Sequence, residues 1–322
     1  MTVAVLSGGV GAARFLSGLR ATLSDALITA IVNTGDDTTL HGLSISPDLD
    51  TIVYTLAGAI DPERGWGLAG ESWRAMEALA RYVDVRPPGS SAAPSWFNLG
   101  DQDLATHFYR TARLAEGASL TTVTAEICRA WGLDLTVLPM TDGRFRTLVT
   151  LTETGSEISF QDYFVRLRHD VAVSAIRFEH SGATVTDQVL KALANDETIV
   201  IAPSNPLVSI GPIRALPGVD QILAERRDRT VAVSPIVGGA AIKGPADRML
   251  SELGLQPSVV GVAELYAPIA SVLVIDPVDA GLAASVEATG MRCVIEPSIM
   301  STPRIAQALA EVCLAAIGHG RD

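Results

Sequence analysis

Short apolar runs alternate with helical patterns from the start of the chain. Residues 3–6 form a continuous apolar run that stops at Ser7-Gly8-Gly9, and residues 12–19 continue with helical spacing. Residues 28–32 are a second, β-branched run. This order of strand, tight turn, helix and strand predicts a βαβ unit. Its parallel strands would place their functional edge at the carboxyl ends.

Four later segments repeat the strand pattern. They are residues 198–202, 230–233, 271–275 and 293–296, and each is followed by Pro, Gly or Ser. Continuous apolar strands without alternation are typical of a sheet that is covered on both faces. We therefore predict an α/β fold with a doubly wound, mostly parallel, Rossmann-like sheet.

The middle of the chain has a different pattern. Residues 146–152 alternate between apolar and polar positions, and Phe160, Tyr163 and Phe164 bring aromatic side chains together. We predict a smaller α+β insertion at residues 135–189, and a Rossmann-like core at residues 1–134 and 190–322. Residues 87–94, rich in Pro, Gly, Ser and Ala, are predicted to form a surface loop.

Composition narrows the class of protein. The chain has 322 residues, of which 48% are hydrophobic, so it is able to bury a sizeable core. Its formal net charge of -12 argues against binding nucleic acid, which needs clustered basic side chains. No apolar stretch approaches the roughly 20 residues that span a bilayer, and the N-terminus does not resemble a signal peptide. We expect a cytoplasmic protein without a membrane or nucleic-acid partner.

The glycine-rich turn after the first strand is a candidate phosphate site. Gly8, Gly9 and Gly11 would let backbone N–H groups and a helix N-terminus approach an anion. The motif is neither the GxGxxG fingerprint nor a Walker A loop, so a simple tight turn is the alternative. Arg14, one turn into the helix, would add a bidentate phosphate contact or remain solvated.

Two acidic loops follow the second predicted strand. The segments NTGDD and SPDLDT contain Asp36, Asp37, Asp48 and Asp50. Carboxylates together with substrate phosphates are typical ligands of Mg²⁺, so all four are candidate metal ligands. The alternatives are a turn for Asp36 and Asp37, and for Asp48 the N-cap of a helix that starts near Thr51.

A third acidic segment, NLGDQD, precedes a predicted helix. Asp101 and Asp103 would cap that helix, or would bind a metal ion or the hydroxyl groups of a substrate. His107 lies four residues after Asp103 and therefore on the same helix face. It would serve as a base or a hydrogen-bonding group, or be an ordinary buried histidine.

Loops after two later strands are candidate sites for a nucleotide base or phosphate. Proline residues bracket Ser204 and Asn205, which fixes a rigid loop at a strand end. Ser234 and Gly238 occupy a similar loop after the next strand. Lys243 follows in a Gly-Pro context and would contact phosphate or remain solvated; the only other lysine is Lys191.

Seven segments in this order resemble one protein family. They are GGVGAARFLSGL, VNTGDD, SPDLDT, NLGDQDLATH, LPMTDG, APSNPLVSIGPI and VSPIVGGAAIKGPA. Together they resemble the 2-phospho-L-lactate transferase family of coenzyme F-420 biosynthesis, essentially from end to end.

The resemblance implies a specific reaction. Such a transferase moves the phospho-acid part of a guanosine diphospho-linked three-carbon acid to the terminal ribityl hydroxyl of the deazaflavin Fo. GMP leaves, and Mg²⁺ is the cofactor. The Arg-heavy, Ala-rich composition resembles actinobacterial members, which implies an enolpyruvyl donor and dehydro coenzyme F-420-0 as product. The enzyme class would be a phosphotransferase for other substituted phosphate groups, and we expect a homodimer.

The resemblance also assigns roles to residues. Asp50 and Asn98 match Fo-binding positions of the family, although other members have a basic residue where this chain has Asn98. We add Asp101 and His107 to the candidate Fo site. Asp50, with Asp48, is the candidate catalytic residue, and we expect Asp50 to orient or deprotonate the hydroxyl with little part in fold stability.

A second class of protein shares part of this pattern. Proteins of a related family have the same glycine-rich start and Asn-Thr-x-Asp-Asp loop, but bind nucleotide sugars in a regulatory role. The SPDLDT and NLGDQD segments discriminate between the two, and here they resemble the transferase branch.

Overall fold

The computed structural model describes residues 1–88, 90, 92 and 96–318, so half of the loop predicted at residues 87–94 lies outside the described residues. In chain order the strands are β1 (Val3–Ser7), β2 (Ile28–Val32), β3 (Thr38–Leu40), β4 (Leu43–Ile45), β5 (Thr136–Pro139), β6 (Phe145–Leu151), β7 (Glu157–Ser159), β8 (Val173–His180), β9 (Thr198–Ile201), β10 (Thr230–Val233), β11 (Ile236–Val237), β12 (Ala240–Ala241), β13 (Val272–Ile275) and β14 (Arg292–Ile295). The α-helices are α1 (Gly9–Arg20), α2 (Pro47–Leu56), α3 (Arg74–Leu79), α4 (Asp103–Ala115), α5 (Leu120–Ala130), α6 (Asp187–Asn195), α7 (Gly211–Arg214), α8 (Val219–Glu225), α9 (Ala246–Glu252), α10 (Val259–Tyr266), α11 (Ala283–Glu287) and α12 (Pro303–Gly318). None of these helices is long and apolar enough to cross a bilayer.

One seven-stranded parallel sheet lies at the centre of the molecule. Its order is β5-β2-β1-β9-β10-β13-β14, and β1 pairs with both β2 and β9. The direction of winding therefore reverses between β1 and β9. Open α/β sheets bind their ligands beyond the carboxyl ends of the strands at such a reversal. The predicted doubly wound parallel sheet is confirmed.

Helices cover both faces of this sheet. Val3 and Val5 of β1 belong to the core shared with α1 and α12, whereas Ala4 and Leu6 belong to the core shared with α6 and α10. Successive strand residues point to opposite faces, so both sets must be apolar when both faces are covered. This arrangement explains the continuous apolar runs of the sequence.

A small antiparallel sheet, ordered β7-β6-β8, lies inside the segment predicted as the insertion, residues 135–189. The same segment also contains β5, which pairs in parallel with β2 at the edge of the central sheet. Residues 136–139 thus extend the central sheet, because their short apolar run follows α5 and pairs in parallel with β2. The division of the chain into domains stays a prediction.

Helix α2 begins four residues earlier than predicted. Pro47 is its first residue, and a proline suits this position because its missing N–H group has no helical partner there. Asp48 and Asp50 consequently lie in the first turn, where the helix dipole favours negative charge. The alternative that Asp48 is the N-cap of a helix starting near Thr51 is wrong.

Candidate active site

A cavity of about 700 Å³ opens at the carboxyl ends of the central strands. The cavity is lined by these predicted site residues: Gly8, Gly9, Gly11, Arg14, Asp36, Asp48, Asp50, Asn98, His107, Ser204, Asn205, Ser234 and Lys243. Three other predicted residues, Asp37, Asp101 and Gly238, lie outside this lining. The sheet thus brings most of the candidates together from distant parts of the chain.

Asp36, which is half-buried, and Asp48, which is buried, form an acidic pair. The side-chain amide of Asn33, at the end of β2, donates to Asp36 Oδ1 at 2.8 Å and to Asp48 Oδ2 at 2.9 Å. Its own oxygen accepts from the backbone N–H of Gly35 at 2.8 Å, which fixes the amide orientation. No basic side chain among the described residues forms an ion pair with either carboxylate.

The environment of this pair favours a bound cation. Burial raises the pKa of Asp48 to about 6, and burial together with the charge of Asp48 raises the pKa of Asp36 well above its usual value. Two close carboxylates without a positive partner repel one another once both are ionised. Hard divalent cations bind such oxygen ligands and neutralise them, so the residues present fit Mg²⁺.

The other two predicted metal ligands are engaged elsewhere. Asp37 accepts a hydrogen bond from the Ser46 hydroxyl at 2.6 Å and does not line the cavity. Asp50 lines the cavity, but both of its oxygens accept hydrogen bonds from the guanidinium of Arg110, one of them at 3.1 Å. The structure therefore separates Asp36 and Asp48 from Asp37 and Asp50.

Asp50 belongs to a buried polar array between α2 and α4. Its side chain and that of Arg110 are 7% and 2% exposed, so the ion pair is withdrawn from solvent. Arg110 Nη1 also lies 3.3 Å from His107 Nδ1, and His107 Nε2 lies 3.3 Å from Asp103 Oδ2. Because a guanidinium only donates, Nδ1 accepts and the imidazole proton is on Nε2, facing Asp103.

This array changes the role expected of Asp50. A carboxylate that is paired with a buried guanidinium is a poor acceptor for a substrate proton, and its removal would leave Arg110 unpaired. We therefore expect Asp50 to contribute to fold stability, whereas the sequence predicted little part in it. Asp50, Asp103 and His107 also offer oxygen and nitrogen atoms within 4.8 Å of one another. A cation there would compete with Arg110, so we favour the Asp36–Asp48 pair as the metal site.

Asp101 is turned away from the cavity. Its carboxylate accepts hydrogen bonds from the backbone N–H groups of Arg74 and Ala75, at 3.2 and 3.0 Å, and so caps α3. The predicted capping role for α4 is filled instead by Glu71, which accepts from the N–H groups at the start of that helix at 2.8 Å. Asp101 is a capping residue, but of a neighbouring helix.

Some backbone N–H groups of the glycine-rich turn already have hydrogen-bond acceptors within the chain. The N–H of Gly8 donates to Ser204 Oγ at 3.3 Å, and the N–H of Gly9 donates to Asp48. The N–H groups of Val10 and Gly11 lie in the first turn of α1, where backbone donors have no intrahelical partner. The anion-binding capacity of this turn therefore belongs to the helix N-terminus.

Gly11 is required by packing. A Cβ atom at this position would lie 2.2 Å from the carbonyl oxygen of Pro203, in the loop after β9. Any side chain at Gly11 would push α1 away from this loop. Gly11 thus has a packing requirement, and its contact with phosphate stays a prediction.

Three polar residues predicted to contact the donor also stabilise loops. Ser204 Oγ donates to the carbonyl of Gly8 at 2.8 Å, and Asn205 Oδ1 accepts from Leu207 N at 2.9 Å. Ser234 Oγ accepts from and donates to Ile236. All three line the cavity, so they hold its backbone in place while their own oxygens are in use.

Gly238 lies in a hairpin and not in the cavity. Gly238 and Gly239 connect β11 and β12, with φ angles of 60° and 80°. Two-residue hairpin turns with positive φ at both positions favour glycine. The glycine pair therefore closes a β-turn, and the Gly238 N–H donates to Asp279 at 2.9 Å.

Arg14 and Lys243 supply positive charge to the cavity. Burial and the neighbouring Arg14 lower the pKa of Lys243. The ammonium of Lys243 also reaches Gly65, since a Cβ atom there would lie 2.7 Å from Nζ. Two cations at one side of a cavity that also contains two carboxylates suit a diphosphate and its metal ion.

Aromatic side chains form two walls of the cavity. Trp66 and Phe97 come from the segment between α2 and α4 that also contains Asn98, whereas Phe160 and Phe164 come from the turn between β7 and β8. The face of Trp66 also contacts the guanidinium of Arg64, 5.4 Å from the ring centroid. A site with two apolar walls and a charged centre is able to hold two planar ring systems joined through phosphate chemistry.

Two residues that organise the site were not predicted. Asn33 ends β2 in the segment NTGDD, but its role as a shared donor depends on the position of α2. Arg110 follows His107 by three residues and Asp103 by seven, which places all three on one helix face. That spacing was a usable signal for Arg110, although the sequence does not show that Asp50 faces it.

Comparison with known proteins supports one family. The sequence model described as 2-phospho-L-lactate transferase CofD matches residues 3–295. A protein of Streptomyces griseus named phosphoenolpyruvate transferase is 42% identical, covering 98% of each chain. A protein of the same name from Streptomyces coelicolor is 41% identical, covering 94% of this chain and 93% of its own.

One solved structure shares the fold. A member of the UPF0052 family from Bacillus halodurans superposes with a TM-score of 0.61 at 14% identity, covering 97% of this chain and 98% of its own. At this level of identity the likeness supports the architecture alone.

Proposed function

The chain belongs to the 2-phospho-L-lactate transferase CofD family, and on that premise we propose that it transfers a phosphoenolpyruvyl group to the deazaflavin Fo. The donor would be enolpyruvyl-diphospho-guanosine and the acceptor atom the terminal ribityl hydroxyl oxygen. A new P–O bond forms at this oxygen, the diphosphate bond breaks, and GMP leaves. The names of the Streptomyces relatives favour the enolpyruvyl donor over the lactyl donor.

One observation carries this proposal: a single cavity contains the Asp36–Asp48 pair, the cations Arg14 and Lys243, and two aromatic walls. Phosphoryl transfer needs mainly positioning and neutralisation of charge, with little covalent chemistry from the protein. When bound, Mg²⁺ would neutralise charge on the diphosphate. Asp36 and Asp48 would hold the ion, while Arg14 and Lys243 would bind the donor's phosphate oxygens.

The direct test is mass spectrometry of the product. Purified protein is incubated with Fo, Mg²⁺ and either the enolpyruvyl or the lactyl donor, and GMP is measured by chromatography. We expect dehydro coenzyme F-420-0 and an equal amount of GMP from the enolpyruvyl donor. Binding of a nucleotide sugar without any transfer to Fo would support the regulatory alternative and contradict the proposal.

Chelation of the divalent cation should abolish turnover. With excess EDTA, Asp36 and Asp48 face a diphosphate without the ion that neutralises both, so productive donor binding is lost. Adding Mg²⁺ beyond the chelator should restore the rate. Full turnover in excess EDTA would contradict a metal-dependent reaction.

Protection by Mg²⁺ should also depend on pH. The pKa of Asp48 is raised to about 6 in the folded protein. Protonated Asp48 therefore stabilises the fold fully at a pH below its pKa in the unfolded chain, and this stabilisation is lost as pH rises through about 6. A cation binds only the ionised pair. The melting temperature should therefore rise with Mg²⁺ at about pH 7.5 and change little at about pH 5. Equal shifts at the two pH values would argue against this pair.

Lys243→Met should weaken donor binding, with Lys191→Met as the matched control. Loss of a charge-assisted phosphate contact should raise the donor KM by about 10- to 100-fold. Lys191 is exposed on α6, away from the cavity, so its substitution should leave the kinetics unchanged. Steady-state kinetics at varied donor concentration measure the KM of both variants. Identical KM values would contradict a phosphate contact and leave Lys243 as a solvated side chain.

We propose a homodimer in the cytoplasm, and light scattering during gel filtration tests the assembly.

A further inference from the structure

The turn between β7 and β8 brings an unused amide to the cavity. Gln161 lines the cavity, although only 5% of its surface is exposed. Its side-chain amide forms no hydrogen bond with any part of the chain that the structure describes. Neither amide atom belongs to the enclosed side-chain polar atoms without a partner, so both open onto the cavity. Its donor and acceptor are therefore available to a ligand.

The turn that carries Gln161 is held rigidly. Ser159 Oγ donates to Asp162 Oδ2 at 2.6 Å and accepts from the Asp162 N–H at 3.1 Å, on either side of Gln161. Tyr163 is fully buried, and its hydroxyl accepts from Arg248 at 2.7 Å. An amide on such a support is pre-organised, which is what specific recognition requires.

The surroundings of Gln161 suit a planar ring. Phe160 and Phe164, its neighbours in the turn, also line the cavity, and their rings stack with centroids 5.5 Å apart. A primary amide offers an N–H donor next to a carbonyl acceptor. This arrangement complements a cyclic lactam, in which a carbonyl lies beside an N–H group, as in O6 and N1–H of guanine.

We propose that Gln161 binds the lactam edge of the donor's guanine ring, an inference that rests on the proposed function. Fo also contains a lactam, in its pyrimidinedione ring. The position of Gln161 in the cavity must therefore distinguish between the two substrates. The ring of Phe164 approaches Gly244, next to Lys243, and Phe160 packs with Val208 in the loop after β9. The turn that carries Gln161 thus contacts the segment beside Lys243 and the loop after β9, which contain candidate donor contacts, whereas Asn98, assigned to Fo, comes from the segment between α3 and α4.

Gln161→Met is the first test, with GDP and Fo as separate probes. Loss of two neutral hydrogen bonds should raise the Kd for GDP by about 10- to 30-fold and leave the Kd for Fo unchanged. Isothermal titration calorimetry measures both. Gln221→Met is the control, since Gln221 is exposed on α8, where its side-chain amide donates to Glu225.

Gln161→Glu is the second test, because a carboxylate only accepts. GDP offers it N1–H and the 2-amino group, whereas IDP lacks the amino group and offers only N1–H. The preference for GDP over IDP should therefore rise by about 10-fold relative to wild type. General repulsion of diphosphate by the new charge would weaken both nucleotides equally and leave the ratio unchanged.

The outcomes are separable. Weaker Fo binding with unchanged GDP binding would assign Gln161 to the acceptor and overturn the proposal. Unchanged binding of both probes, or an equal loss of both with a lowered melting temperature, would also overturn it. If Gln161→Met weakens GDP binding as expected but the wild-type protein makes no product from Fo, the proposed function is contradicted. The assignment of Gln161 to the guanine ring would still hold.

Discussion

Asp48→Asn should lower the rate of transfer to Fo by about 10²–10³-fold, the usual cost of removing one group that organises charge at the reaction centre. The same substitution should leave the free protein at least as stable as wild type at about pH 7.5. Burial raises the pKa of Asp48 to about 6, so keeping its carboxylate ionised above that pH reduces folding stability. An amide removes this cost, and its oxygen still accepts from Asn33.

Two measurements check this prediction. Steady-state kinetics with saturating donor and Mg²⁺ give the rate, and urea unfolding followed by circular dichroism gives the stability. Asp228→Asn is the control, because the Asp228 side chain is 94% exposed. An Asp48→Asn protein with wild-type turnover would remove Asp48 from the metal site. A strongly destabilised one would show that the carboxylate is needed for the fold.

Arg110→Met should destabilise the fold by about 3–5 kcal/mol, because it leaves Asp50 buried and charged without its partner. Both Asp50 oxygens accept from this guanidinium, and neither side chain has appreciable contact with solvent. Asp50→Asn should also destabilise the fold, because it leaves the buried guanidinium of Arg110 without its charged partner. Asp48 and Asp50 are two residues apart in one helix, yet neutralising them should shift stability in opposite directions.

A double variant separates this ion pair from general damage to the core. Arg110→Met combined with Asp50→Asn removes both charges, so it should recover most of the stability that either single variant loses. Arg113→Met is the control on the same helix, where a more exposed arginine pairs with Glu126, and it should change stability far less. Urea unfolding of the set gives the coupling energy. A double variant no more stable than Arg110→Met would contradict the ion-pair account.

The boundaries of the central strands followed closely from the sequence. Residues 28–32 and 230–233 were predicted as strands and form β2 and β10 with those bounds. A strand covered on both faces must be apolar at every position, so its bounds can be predicted from the local sequence alone. The start of α2 was harder to predict, because Pro47 suits either a loop or a first helical turn.

Sequence order also indicated which loops meet, since all parallel strands present their carboxyl ends at one edge. The glycine-rich turn, the acidic loops and the loops carrying Ser204 and Lys243 were therefore expected near one another, and they line one cavity. The seven motifs that resemble the family gave the reaction, which the fold class alone does not specify.

Only the tertiary structure decided what each polar side chain does within that cavity. Four aspartates looked equivalent along the chain, but Asn33 joins Asp36 to Asp48 while Arg110 binds Asp50. Gln161 gave no signal in the sequence, because an unpaired amide is defined by partners it lacks in three dimensions. Hydrogen bonds and desolvation depend on distances of a few ångströms between remote segments, and no local pattern of residues encodes those distances.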